Sequence, residues 1–465
     1  MTKQQTSLTN TSSQAAWTIK SALWLAGICL VLLLVFPGLL ALAEADESTQ
    51  APASIEADAS SPSKKVWLIT DLHYMSPSLT DRGPRYDIFQ KQAAGIDYDY
   101  GPDRLEALIG QIEREQPEAI IVAGDLTSNG EYQSMLDLAG YFARMEAVGT
   151  QVFVIPGNHG IHNGWAVRFE GEETQKAAQT SPEDFAEIFG AFGYDEALSR
   201  DPASLSYLAE ISPNWQVLMM DTNIYSEKPG RGQSESRGQM RAETLEWAGT
   251  LLNQKPEATW VLPVMHHGAL SHFQGEFQAT TADEASNFQK LLAKHQLPLT
   301  LTGHLHSQHR TSLNVDETLL NEIVTTSFSI YPGKIGQVTF EPQHISYQQI
   351  DLEMAQWLGP EQYPDYLAHL KALHTNGTHL KIFDTLYNDK ALKAHTQEIS
   401  EVFQALNLSF FMGSMQDEWP ELEASLAKIQ PYIEGTDYRF FNGYLDLLLS
   451  TKDYSQTEWT LEWAP

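Results

Sequence analysis

Cysteine is almost absent: the one cysteine among 465 residues, Cys29, lies inside an N-terminal apolar run. Beyond that run the chain can form no disulfide and no thiolate. Zinc-finger-type sites are therefore excluded, and a bound metal must be held by His, Asp, Asn or Glu. Basic residues are scarce too, with 29 Lys and Arg against 60 Asp and Glu, a net charge of −31. Such a surface repels nucleic-acid polymers and anionic membranes, because the Lys/Arg stripe that neutralises phosphates is missing. It also repels phosphate substrates at long range, so a phosphate-handling site here needs local positive charge of the kind bound metal ions supply. There is no internal repeat. Hydrophobic residues make up 42% of the chain, enough for a sizeable core, and the length fits two domains plus an export segment.

The N-terminus carries Lys3 and Lys20 and then an apolar stretch from Ser21 to Ala43. Ala41-Leu42-Ala43 before Glu44 has the small-residue spacing of a signal-peptidase site, and Pro37-Gly38 breaks the helix just ahead of it. The run is also near the length that spans a bilayer, so residues 1–43 read as a signal peptide or an uncleaved anchor. Ile28 before Cys29 argues against lipid attachment there. Both readings place the globular part outside the cytoplasmic membrane, secreted or anchored on its outer face, with membrane contact only if the segment stays uncleaved. Residues 44–64, rich in Ala, Ser, Asp and Glu, read as a disordered linker.

Six short apolar runs each end in polar or glycine residues: Val66–Thr70 at Asp71, Ala119–Ala123 at Gly124-Asp125, Gln151–Ile155 at Pro156-Gly157-Asn158-His159, Trp215–Met220 at Asp221, Trp260–Met265 at His266-His267, and Pro298–Thr302 at Gly303-His304-Leu305-His306. These are the marks of buried strands, and ligands gather beyond the carboxyl ends of strands in open α/β sheets. Helical periodicity over 104–115, 132–148, 242–253 and 287–295, with a capped start at Ser181-Pro182-Glu183-Asp184, alternates with these strands and predicts an α/β fold. Segments near 321–329, 336–340 and 344–351 read as closing antiparallel strands. After Asp351 the pattern changes to helices alone, predicting a C-terminal helical domain over 352–465 and leaving 65–351 as the domain that holds the motifs.

Asp71 and His73 alternate at a strand end and so point to one face; a carboxylate with an imidazole suits Mn, Fe or Zn better than Ca. His304 and His306, spaced i and i+2, share a face of an extended segment. Each motif alone has an ordinary structural reading, but all terminate apolar runs in an order that one ligand shell can use. The set D-x-H, G-D, G-N-H, H and G-H-x-H resembles the calcineurin-like metallophosphoesterase superfamily over residues 64–350. The stretches TDLHYMSPSLTD, VAGDLTSNGE and VFVIPGNHGIHNGWA look most like class III cyclic nucleotide phosphodiesterases, in particular exported members from Gram-positive bacteria.

The resemblance implies a metallophosphoesterase sandwich, two central mixed β-sheets flanked by helices. It implies that Asp71, His73 and His306 hold a first metal, that Asn158, His266 and His304 hold a second, and that Asp125 bridges them. Two carboxylates, four imidazoles and one amide suit Mn or a mixed Fe/Mn pair, with Zn as a further option. Such pairs sit ~3.5–4 Å apart and clamp the attacking and leaving oxygens. A bridging hydroxide then attacks phosphorus in line, His159 stabilises the phosphate or protonates the leaving oxygen, and the substrate, a small phosphate ester, meets His73, Asp125, Asn158, His159 and His306.

One position departs from the family pattern. G-N-H usually continues with an acid that orients the histidine, and here position 160 is Gly. Asp221 is a candidate replacement, and His162 and His267 lie near the motifs in sequence. The insertion-like Thr80–Gly101, with Arg82, Arg85, Tyr86, Tyr98 and Tyr100, either covers the site and stacks a base or is an ordinary surface loop. Glu227–Gln239, with Lys228, Arg231 and Arg237, either reaches a phosphate or is solvated. Three functions follow: a phosphodiesterase acting on cyclic nucleotides, a hydrolase of another extracellular ester (a nucleotide, phospholipid head group or wall polymer), or a metal-binding interaction protein weakened by Gly160.

Overall fold

The computed structural model describes residues 63–225, 235–257, 259–273, 283–341, 344–387, 392–434 and 439–462. The leader expected at 1–43 and nearly all of the linker at 44–64 fall outside them, except that Lys64 already belongs to the first strand. No helix among the described residues is long and apolar enough to cross a membrane.

The strands among the described residues are β1 (Lys64–Ile69), β2 (Ala119–Ala123), β3 (Gln151–Ile155), β4 (Val167–Glu170), β5 (Glu173–Lys176), β6 (Ser199–Arg200), β7 (Tyr207–Ser212), β8 (Trp215–Met220), β9 (Trp260–Met265), β10 (Leu299–Thr302), β11 (His309–Val315), β12 (Thr318–Val324), β13 (Lys334–Glu341), β14 (His344–Asp351) and β15 (Glu458–Glu462). The helices are α1 (Pro84–Gln92), α2 (Gly101–Glu115), α3 (Tyr132–Ala147), α4 (Pro182–Ile188), α5 (Ala242–Gln254), α6 (Ala285–Lys294), α7 (Met354–Tyr387, interrupted at Gly359), α8 (Thr396–Met412), α9 (Met415–Ile433) and α10 (Arg439–Leu449).

Two mixed sheets form the centre, one ordered β15-β14-β13-β1-β2-β3 and the other β11-β12-β10-β9-β8-β7-β6, as the α/β sandwich expectation requires. β1, β2 and β3 run parallel, as do β8, β9, β10 and β12. The continuous apolar sequences of β2 and β9 reflect burial on both faces; every residue of both is buried. At one end Phe340 of β13 seats its ring 4.6 Å from Trp215 and 4.8 Å from Trp260, joining the sheets through aromatic contact. Elsewhere the Tyr207 hydroxyl donates to the Val154 carbonyl (2.9 Å) and accepts from its N–H (3.1 Å), tying β7 to the β3 edge.

The helix start at Ser181 is a capping box, with Ser181 Oγ accepting from Asp184 N (3.0 Å) and the Asp184 carboxylate from Ser181 N (2.9 Å). Two expectations shift. The segment near 321–329 is not simply a closing antiparallel strand: β12 is parallel to β10 and antiparallel only to β11. The region after 352 is helical, but its last described segment, β15, returns to extend the first sheet against β14.

A buried ion pair joins this helical region to the sandwich. Arg104 of α2, 1% exposed, donates to Asp97 Oδ2 (2.6 Å) and to the Asp97 carbonyl (2.7 Å), and His369 of α7 reaches Asp97 Oδ1 at 2.9 Å. Burial alone would raise the Asp97 carboxyl, yet Arg104 and His369 hold it below the usual range. A depressed carboxylate contributes stability above its unfolded pKa of about 4 and loses it as pH falls through the folded value. Replacing Asp97 by Asn leaves Arg104 buried without its counter-charge, a loss of about 3–5 kcal/mol. The expected result is a Tm gap between wild type and Asp97→Asn that is wide at neutral pH and narrows below about pH 4, read by calorimetry across pH; a gap independent of pH would contradict it.

Candidate metal centre

The two sheets bring the carboxyl ends of β1, β2, β3, β9 and β10 to one edge, and the motif residues meet there. Asp71, His73, Asp125 and His306 each offer a ligand atom within 4.8 Å of the others. His306 Nε2 lies 3.2 Å from Asp71 Oδ1 and 3.1 Å from His73 Nε2. His266 and His304 gather in a second group, and Asn158 Oδ1 stands 3.0 Å from His266 Nε2. Asp125 belongs to both: its Oδ2 is 3.3 Å from His266 Nε2 and 4.0 Å from His73 Nε2. Its other oxygen accepts from the His159 backbone N–H at 2.7 Å, which fixes the direction of the carboxylate.

Strand alternation is not what aims these side chains. β1 ends at Ile69, and Asp71 (φ 53°) and His73 (φ 42°) are both left-handed, as are Asp125 (46°), His304 (70°) and His306 (60°). A non-glycine residue with positive φ is uncommon, and clusters of them mark functional sites where the surroundings over-determine the backbone. Here the surroundings are visible. The hydroxyls of Ser327 and Ser329 both donate to the Asp71 carbonyl (2.8 and 2.9 Å), His304 N donates to Asp71 Oδ2 (3.0 Å), and Thr70 Oγ1 to the same oxygen (2.8 Å). Two glycines allow the close approach: a Cβ on Gly157 would lie 2.1 Å from Asp125 N, and one on Gly303 2.0 Å from Thr70 Oγ1.

The donor set fits metal ions. Asp71 Oδ1, which faces His306 Nε2, is buried without a hydrogen-bond partner, and a buried polar atom is seldom left unsatisfied without a reason such as an ion. Burial pushes the His73 and His304 imidazoles down to about 3, so both are neutral and able to ligate. Burial would raise the Asp71 carboxyl, but His306 brings it down to about 2. His266 is the exception: burial lowers it, but the Asp125 carboxylate outweighs burial and lifts it to about 9. His266 Nδ1 is placed 2.8 Å from the Ala123 carbonyl, which directs Nε2 to Asp125 and Asn158.

His159 stands at the opening, half-buried, its ring edge-on to His73 at 5.1 Å. Its Nδ1 lies 2.8 Å from the carbonyl oxygen of Ser128, in the loop after β2. A carbonyl oxygen only accepts, so this contact fixes a proton on Nδ1 and holds the ring in place. Asp221 does not serve His159; its carboxylate accepts from Asn223 N (3.0 Å) and Leu205 N (3.2 Å). His162, with its N–H on the Thr180 carbonyl (2.9 Å), joins neither ligand group. His267 does lie in the second group, packed 4.5 Å from the His304 ring with Nδ1 2.9 Å from Thr222 Oγ1.

The insertion folds as part of the protein body. Tyr86 and Tyr98 are buried in a cluster with Met75, Ile96, Phe169 and Ile330, so they present no free stacking face, and exposed Arg82 sits 3.8 Å from Asp99. Of the loop at 227–239, Lys228 and Arg231 lie outside the described residues, and Arg237 pairs with Glu235 at 3.3 Å. Sequence reasoning missed Ser128, Ser327 and Ser329. Ser128 acts through a backbone carbonyl that any residue provides, and the two serines carry no motif.

Metal ligation requires a neutral imidazole, so loading displaces the proton that His266 shares with Asp125. His266 is expected to add about one proton per chain to the release at pH 7, over any given up by metal-bound water, and this share vanishes well above pH 9. Titration of the apoprotein with Mn²⁺ in buffers of different ionisation enthalpy measures it, and zero release at pH 7 would contradict the pairing.

The family profile for Calcineurin-like phosphoesterase matches residues 64–308. A probable cyclic nucleotide phosphodiesterase of Synechococcus sp. is 24% identical over 204 residues, covering 44% of this chain; the chain spans 63% of that relative's length. Among solved structures, a dimetal phosphatase from Danio rerio aligns at 13% identity over 62% of this chain and 96% of its own, with a TM-score of 0.44. GAP50, the anchor in the inner membrane complex of Plasmodium, aligns at 10% identity over 63% and 85%, with a TM-score of 0.36. With its motif residues assembled and more than half of its length matched, the chain belongs to the calcineurin-like phosphoesterase family.

Proposed function

We propose that the protein is a phosphodiesterase acting on cyclic nucleotides, working outside the cytoplasmic membrane. The coarser activity, metal-dependent hydrolysis of small phosphate esters, comes with the family. The observation that carries the reading is Asp125, one carboxylate shared by two groups of ligand residues. Support for the cyclic nucleotide comes from the resemblance of the motif stretches and from the relative named a probable cyclic nucleotide phosphodiesterase. Support for export is the leader-like N-terminus.

Asp71, His73 and His306 would hold one metal and Asn158, His266 and His304 the other, with Asp125 between them. Two ions bound there supply Lewis acidity toward phosphate oxygens and make water a competent nucleophile at neutral pH. They also supply the positive charge that a chain of net −31 otherwise lacks. The protein's own contribution is proton handling at His159. With Nδ1–H on the Ser128 carbonyl, Nε2 is the basic nitrogen; once protonated it donates to a phosphate oxygen or delivers its proton to the leaving oxygen. The carbonyl holds ring and tautomer without a second carboxylate, which argues against Gly160 as a disabling lesion.

The test is hydrolysis of bis-p-nitrophenyl phosphate and of 2′,3′- and 3′,5′-cyclic AMP by Mn²⁺-loaded protein. Metal-dependent cleavage of a cyclic nucleotide is expected; cleavage of the chromogenic ester alone would move the substrate to another phosphodiester. Asp125→Ala should abolish turnover together with bound metal. His159→Ala should keep its metal and lose about 10²–10⁴-fold in kcat, and an unchanged kcat would remove the proton-transfer role.

Gly160→Asp separates the active from the weakened reading. A Cβ at 160 would sit 3.2 Å from the Gly157 carbonyl, a tight fit, and Ser128 already occupies Nδ1. Activity is therefore expected to stay level or fall, and a large gain would show that His159 is poorly oriented in the wild type.

A further inference from the structure

The loop that carries His304 and His306 runs directly into Gln308, and Gln308 is where the C-terminal helical region grips the sandwich. Gln308 is fully buried, and both ends of its side-chain amide are hydrogen-bonded. Its N–H donates to the Phe411 carbonyl at the end of α8 (2.9 Å), and its Nε2 donates to the Gln456 carbonyl just before β15 (2.8 Å). Its Oε1 accepts from the Tyr347 hydroxyl (2.7 Å) and from Gln349 Nε2 (3.2 Å) on β14. Two residues further on, Arg310 N donates to Gln456 Oε1 at 2.6 Å. The contact admits no side chain at Gly413: a Cβ there would stand 2.7 Å from Gln308 Cγ and 3.0 Å from Gln456 Cβ, and the residue has φ +73°.

We propose that Gln308 is a positioning residue through which the C-terminal helical region holds the His304–His306 loop in its ligand geometry. The inference rests on the dinuclear reading of the site. Its physical basis is the left-handed backbone at both histidines (φ 70° and 60°), which does not persist unless the flanking chain is fixed. Upstream, the loop is fixed within the sandwich by Gly303 N on the His266 carbonyl (3.1 Å) and by His304 N on Asp71. Downstream, Ser327 N reaches the His306 carbonyl at 3.2 Å and β11 pairs with β12 from His309 onward, and between these two anchors Gln308 is held by its grip on Phe411 and Gln456. Supports of this kind around a ligand typically change metal affinity about 10–100-fold when removed. The C-terminal helical region is thereby part of the metal centre's scaffold without supplying a ligand.

The experiment compares wild type, Gln308→Leu and Gly413→Ala as full chains. Each is titrated with Mn²⁺ by calorimetry, and Mn²⁺ EPR separates a coupled pair from single ions. Circular dichroism and cooperative unfolding check that each variant is folded. The expected result is folded variants that bind Mn²⁺ about tenfold more weakly, since the loop offers one histidine to each ion, with a larger single-ion EPR signal. Global destabilisation alone would not weaken ion binding in a variant that stays folded well below its Tm. Folded variants that bind two ions with wild-type affinity overturn the proposal. Should Gln308→Leu fail to fold, Gly413→Ala decides by itself, because it displaces the Gln308 side chain without removing it. Wild type binding two ions but cleaving no phosphodiester would sink the functional reading and leave this one standing on its binding data. Wild type binding fewer than two ions would sink both.

Discussion

The arrangement of the site turns on the position of one carboxylate. Asp125 has to face two clusters of imidazoles at once, and it does so because its remaining oxygen is held by the His159 N–H. That bond forms only if the loop after β3 passes close over the loop after β2. Gly157 permits the passage, since any side chain there would overlap Asp125. The same loop contact brings His159 to Ser128, so His159 and the Asp125 carboxylate are placed by one packing event.

The left-handed backbone of five ligand residues is the energetic counterpart of that geometry. Each costs of the order of 1 kcal/mol relative to relaxed backbone, and the hydrogen bonds around the Asp71 carbonyl and carboxylate offset it. A site of this kind is preorganised: the ligands do not have to be collected when an ion arrives. It is also demanding of its scaffold, which makes sense of a C-terminal region that docks through His369 on the buried Asp97 carboxylate and by the Gln308 contact.

Electrostatics runs in the same direction. The surface charge disfavours phosphate, while the buried edge concentrates neutral imidazoles around two carboxylates. Only ions bound there reverse the sign locally, so substrate capture and chemistry depend on the same groups.

Much of the fold, and most of the residues that gather at the candidate metal centre, were legible in the chain. Runs such as Ala119–Ala123 and Trp260–Met265 are strands because both faces are buried, and continuous apolar sequence records that directly. The ligands were legible because Asp, His and Asn at strand ends in a fixed order have few other uses. Parallel pairing of β10 with β12, and the return of β15 to the first sheet, were not, since pairing depends on partners distant in sequence. Nor was the way the ligands are aimed: alternation along a strand was the local expectation, and left-handed turns held by Ser327 and Ser329 are what the fold imposes. Gly160 marks the limit most clearly. Sequence by itself showed a missing acid, and only tertiary structure could supply its replacement, because the Ser128 group that orients His159 is a backbone carbonyl and every residue has one.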